Sequence, residues 1–176
     1  MDAHTPQTSP SQALHGMPVA GLLGYGKEAW GPLITQPACL LPKNMCLIGV
    51  RSFESGEAQL LHDLGVRVFH MSEVDTKGFK ACFEEALALV TVGTDAFGIT
   101  VDLDGFDPRF APGVGSLAPG GLNPREVLEA MTPVLSDRRF KALEIAEFNP
   151  TRDQHHLTQD VIISFLKWVQ PRGELS

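Results

Sequence analysis

The sequence is short of positive charge, short of cysteine, and without a long apolar run. Lys and Arg number 14 against 21 Asp and Glu, a net charge of −7, and the pI is near 5.3. No basic stripe is present to neutralise phosphates, so nucleic acid is not an expected partner. The same balance suits a cationic substrate or metal ions. Cys39, Cys46 and Cys82 are odd in number and sit at no ligand-like spacing. Unpaired thiols in a reducing compartment are therefore expected. No apolar run approaches the ~20 residues a membrane span needs, so no membrane partner is expected. The first residues lack the basic-then-apolar pattern of an export signal. Together these absences give a cytoplasmic address as the expectation.

What is present fits one folded unit. The chain has 176 residues, 43% hydrophobic and 20% charged, enough for one domain with a real core. Its centre is the stretch Ile99-Thr100-Val101-Asp102-Leu103-Asp104-Gly105-Phe106-Asp107-Pro108. This begins as a buried strand and ends in closely spaced acids. In extended chain Asp102 and Asp104 would point the same way. Like charges at the end of an apolar run are costly unless a cation lies between them. A divalent ion on hard oxygen ligands is one answer; a loop of solvated acids is the other.

Around that centre the pattern alternates. Residues 2–16 read as a polar loop and Met17 to Tyr25 as a short buried helix. Gly24, Gly26, Gly31, Pro32, Pro37 and Pro42 mark an irregular connection. Met45 to Val50 is an apolar run fit for a strand buried on both faces. A helical stripe at Ala58, Leu61 and Leu64 follows, ending at Gly65. Val66 to Met71 is the next strand. Phe79, Cys82, Phe83, Ala86, Leu87 and Val90 recur at helical spacing. Phe97 to Asp102 is a strand, and Gly105 to Leu122 a long loop. Asn123 and Glu126 frame a capping box with Pro124 at the first helical position. Phe140 to Phe148 is the last strand, and Val161 to Val169 the last helix.

Strands alternating with helices imply α/β architecture: a parallel sheet, right-handed crossovers and helices on both faces. Function then gathers at the carboxyl ends of the strands. Those ends carry Arg51 and Glu54, Asp102 and Asp104, and Glu147.

These residues resemble the ureohydrolase superfamily of arginases, agmatinases and formimidoylglutamases, and within it the bacterial-type arginases. Val101 to Pro108, with Phe110-Ala111-Pro112-Gly113 and Pro119-Gly120-Gly121-Leu122, is similar to the family's C-terminal signature. Glu144 to Pro150 resembles its downstream partner. Thr5-Pro6, Ser9, Ser11 and His15-Gly16-Met17-Pro18 resemble the substrate loop, and Gly49 to Glu54 a strand and loop of the bacterial members.

The resemblance implies a three-layer α/β/α fold that lacks the N-terminal strands. Residues 1–176 would then be a partial arginase-like domain, the C-terminal three-fifths of the family fold. Intact members hold two manganese ions through Gly-Gly-Asp-His, Asp-Ala-His-x-Asp and Asp-x-Asp motifs. The first of these does not occur here. Asp2, placed three residues before Thr5, matches the final Asp of the second motif, whose earlier residues would lie upstream of Met1.

Carried over position by position, Asp2, Asp102 and Asp104 are metal ligands, with Asp102 bridging. His15 is the proton shuttle, and Glu147 pairs with the guanidinium. Ser11, Glu54 and Ser116 contact substrate. His4 falls where many arginases place an Asn that reads the α-carboxylate. The implied reaction is hydrolysis of L-arginine to ornithine and urea through a metal-bridging hydroxide. With half of the ligand set present, at most one manganese and little or no activity are expected of this chain alone. A homo-oligomer, trimer or hexamer, is the family's habit. Two alternatives stay open: a non-catalytic arginase-derived subunit, and agmatinase- or guanidinobutyrase-type specificity.

Overall fold

The computed structural model describes residues 1–33 and 38–170; Pro37 of the expected irregular connection lies outside them. Two short helices, α1 (Pro18–Leu22) and α2 (Lys27–Trp30), follow the N-terminal loop. The alternating part begins with β1 (Cys46–Val50), α3 (Ser55–Asp63) and β2 (Arg67–His70). Next come α4 (Met71–Lys77), α5 (Phe79–Val90) and β3 (Phe97–Asp102). The chain closes with α6 (Pro124–Met131), β4 (Phe140–Ala146) and α7 (Leu157–Val169).

All pairing is parallel, as expected, but it forms two sheets and not one. β1 pairs with β2, and β3 pairs with β4. Val101 lies beside Ile145 and Asp102 beside Ala146, so the acids end together with the ladder.

The larger core is built on one side of β3 and β4. Ile99, Val101, Leu143 and Ile145 turn toward Phe83, Val127 and Phe165, and Phe165 is 0% exposed. A smaller core joins Ala3, Leu23, Leu61 and Val66. β1 serves both, because alternate residues of a strand face opposite ways. Cys46 and Ile48 meet the larger core, and Met45 and Leu47 the smaller. The opposite flank of β3 and β4 is bare: Gly98, Thr100, Ala142 and Glu144 are exposed. Parallel sheets normally carry cover on both faces. Among the described residues, α5, α6 and α7 pack into the core on one side of this pair.

Local chemistry moves several boundaries. Met71 opens α4 and does not end β2; Glu73 of that helix takes Arg67 of β2 and Lys77 as partners. β4 stops at Ala146 because Glu147 adopts a left-handed φ of 65°, a conformation that a non-glycine residue in extended chain does not take. α3 starts ahead of its apolar stripe, at a capping box between Glu54 and Glu57. Asn123 caps α6 through the Arg125 N–H. Asp104 lies in a single 3-10 turn, Leu103–Gly105, and not in extended chain. The two acids are therefore not brought together by strand alternation.

Candidate active site

β3 ends at Asp102, whose Oδ1 accepts the Asp104 N–H at 3.3 Å. The turn that follows is gripped from the other sheet. Arg51, the residue after β1, donates from Nη1 to Gly105 O at 2.9 Å. Its Nη2 donates to Asp104 O at 2.8 Å, Phe106 O at 3.0 Å and Ala118 O at 3.2 Å. β4 delivers Glu147 one residue past its end. A Cβ on Gly115 would stand 3.7 Å from Glu147 Oε2, so this carboxylate lies beside the loop that carries Ser116.

Asp2 arrives from the N-terminal loop with φ 54°. Its carbonyl accepts the Val19 N–H at 2.9 Å. The next residue is tethered by Glu57, whose Oε1 accepts the Ala3 N–H at 3.1 Å. Asp2 and Glu147 are two of the five non-glycine residues with positive φ among the described residues. Strained backbone of this kind collects at working sites.

Asp2, Asp102, Asp104 and Glu147 share one electrostatic field. Burial, then the charges of Asp102, Asp2 and Glu147, push Asp104 up to about 7 from 3.8. Burial likewise pushes Asp2 up to about 6; the N-terminal ammonium opposes it, and Asp102, Glu147 and Glu57 add to it. Acids that raise one another in this way form a pocket of negative potential that favours a cation.

The other expected site residues divide. His4 is buried, with Nε2 at 3.5 Å from Glu57 Oε2 and 3.9 Å from Glu54 Oε2. Its Nδ1 is 3.3 Å from Thr8 Oγ1. Glu54 is exposed and engaged as the cap of α3. His15 is exposed on the 3-10 turn Leu14–Gly16. Ser11 is exposed and accepts the Ala13 N–H at 3.2 Å. Ser116 is exposed. Asp2, Asp102 and Glu147 all act electrostatically on Asp104, and His4 lies with Glu54 around Glu57. Ser11 and His15 stand on the loop beyond them.

Two residues escaped the reading of the sequence. Glu57 is 4% exposed, a buried acid serving the backbone of both Ala3 and Glu54. The signal available was its place three residues after another acid at a helix start. Arg51 was noted only as lying at a strand end.

Manganese is the group the resemblance implies. Carboxylate oxygens are the right donors for a hard divalent ion. Among the described residues, however, no three His, Cys, Asp or Glu side chains are arranged to hold a metal ion. No histidine figures among the groups that shift Asp2 or Asp104. As arranged here the acids suit a cation in kind and do not make a complete metal cage.

Comparison with known proteins decides the lineage: residues 1–168 match the arginase family. This chain belongs to that family. The arginase of Bacillus caldovelox is 36% identical over 165 residues, which is 94% of this chain and 55% of that protein. A solved arginase structure from Bacillus subtilis superimposes with a TM-score of 0.89 at 33% identity, covering 99% of this chain and 60% of the other. An Entamoeba histolytica arginase solved in complex with L-ornithine gives 0.84 at 27% identity, covering 96% and 56%. The chain thus spans about half the length of the curated relatives it matches. The arginase fold accounts for the α/β order and the parallel pairing seen here. Among the described residues no helix of this arginase-family chain is long and apolar enough to cross a membrane.

Proposed function

We propose that this chain supplies the carboxylate side of an amidinohydrolase site that takes a guanidino substrate, L-arginine, and yields urea and ornithine. The observation that carries the reading is the placing of Asp102 at the end of β3 and Glu147 one residue past β4, with Asp2 of the N-terminal loop and both of these raising Asp104. A guanidinium is planar, always cationic, and matched by carboxylates in paired hydrogen bonds. Glu147, past the end of the ladder and beside the Ser116 loop, would orient such a group. His15, exposed on its turn, would be the proton carrier to the leaving amine.

The manganese of the family would be held through Asp2, Asp102 and Asp104, where a metal serves to make water a nucleophile at neutral pH. These three do not complete that site, so at most one ion and slight turnover are expected of the chain alone. Assembly as a homo-oligomer, trimer or hexamer, and a cytoplasmic address belong to the same reading. A second reading concerns substrate. His4 is turned inward to Glu57, which leaves an α-carboxylate without that reader and favours agmatine or 4-guanidinobutyrate. The alternative of a non-catalytic subunit rests on the same incomplete ligand set.

The test is direct. The purified chain is incubated with L-arginine, agmatine or 4-guanidinobutyrate, with and without manganese. Urea, the amine product and bound metal are measured, and guanidino binding is followed by titration calorimetry. Binding of a guanidino compound that is lost in Glu147→Gln supports the proposal. No binding of any of the three overturns it, and tight binding of two manganese ions with rapid turnover overturns the partial-site reading.

A further inference from the structure

The two sheets are not joined by a ladder, yet their carboxyl ends are locked together at one side chain. Arg51 leaves the end of β1 and spends both Nη atoms on backbone carbonyls of Asp104, Gly105, Phe106 and Ala118, between 2.8 and 3.2 Å. Among the described residues the guanidinium has no carboxylate hydrogen-bond partner, and its Nε is buried without a partner; the Asp107 carboxylate feels its charge without bonding to it. A charge whose hydrogen bonds all go to oriented carbonyl dipoles has little freedom to move, because every displacement breaks several charge-assisted bonds together. Its far side is closed by Gly121. A Cβ at that position would stand 2.9 Å from Arg51 Cζ and 2.7 Å from both Asp107 N and Phe106 C, and φ there is +125°. Only glycine lets the chain lie so close in that conformation.

We propose that Arg51 is a positioning residue: its planar fork, backed by Gly121, fixes the turn 104–106 so that the carboxyls of Asp102 and Asp104 meet at the strand ends. This rests on reading those two acids as part of the site. Lysine cannot replace it, since a point ammonium lacks the fork that reaches several carbonyls in one plane.

The test follows amide hydrogen exchange by NMR on the whole chain, comparing wild type with Arg51→Lys. In wild type the amides of Asp104, Phe106, Asp107 and Leu122 all bond within this turn and its neighbour. In Arg51→Lys their exchange should rise roughly tenfold or more, while α5 and α7 change far less. Gly121→Ala, whose Cβ would meet the Arg51 guanidinium and the backbone of Phe106 and Asp107 alike, should loosen the same amides, and Arg51→Lys isolates the part played by the guanidinium. An equal rise throughout α5 and α7 in Arg51→Lys would mark general destabilisation and overturn the proposal. So would an undisturbed turn in either variant.

A second readout uses manganese ion alone as a paramagnetic probe. Broadening of the Asp102 and Asp104 resonances should be several-fold weaker in Arg51→Lys at the same ion concentration, and equal broadening counts against positioning. Absence of broadening in wild type counts against the metal reading, and the exchange pattern still decides the role of Arg51.

Discussion

Asp104→Asn should make this protein more stable, and only above mildly acidic pH. The Asp104 carboxyl is held at about 7 in the folded chain against 3.8 when free. The folded state therefore binds more protons than the unfolded state between those values. Stability then falls as pH rises through that window, and it recovers as pH is lowered toward 4. At full strength such a shift corresponds to roughly 4 kcal/mol. Asp104 is only half-buried, so screening by water leaves about 1–2 kcal/mol. Asparagine keeps the shape and discards the charge. Its backbone N–H still reaches Asp102 Oδ1, since that bond does not use the side chain.

Urea denaturation of both proteins at pH 7.5 and pH 5 would measure the difference. Asp104→Asn should gain about 1–2 kcal/mol at the higher pH, with most of the gain gone at the lower. Equal stabilities at both values, or a variant weaker at pH 7.5, would refute the reasoning. That result would mean Asp104 is not in repulsion with Asp102, Asp2 and Glu147.

Three other perturbations follow from the same structure. Thr158 is 0% exposed and its Oγ1 accepts the Gly113 N–H at 2.7 Å. Thr158→Val should cost about 1–3 kcal/mol in denaturant unfolding, the penalty of an orphaned buried donor. Glu147→Gly should stabilise the fold by about 1 kcal/mol through release of its left-handed backbone, while calorimetry records weaker guanidino binding. Phe165 is 0% exposed and packs its ring 5.8 Å from that of Phe106. Phe165→Ala should cost about 3–5 kcal/mol and lower the melting temperature accordingly.

What the sequence made legible was what repeats. β3 was bounded to the residue because its apolar frame and terminal acid are local features, and α5 because its apolar positions recur at helical spacing. α4 was hidden: within Met71–Lys77 only Met71 and Val74 are apolar, and its partner Arg67 lies in the strand before it. Glu57 was hidden because its burial depends on Ala3, 54 residues away. The division into two sheets was equally out of reach, since nothing along β1 or β3 states which strand will be its neighbour. At the site, residue types marked Asp102, Asp104 and Glu147, while Asp2 came from the family resemblance alone. The carbonyl grip of Arg51 was invisible because backbone acceptors leave no trace in side-chain sequence.

The uncovered flank of β3 and β4 makes this a protein whose company depends on salt. Gly98 and Ala142 leave a smooth track there with almost no side chain to keep another backbone away. Lys141 and Glu144 are the exposed charged residues of β4, and Glu144 Oε2 accepts the Thr100 hydroxyl at 2.9 Å. Charges placed beside an open strand are the usual deterrent to unwanted stitching of one chain to the next. Ions at physiological strength shorten the reach of that deterrent to about 8 Å. Dilute buffer keeps copies apart by repulsion between net-negative molecules, and concentrated salt weakens that repulsion.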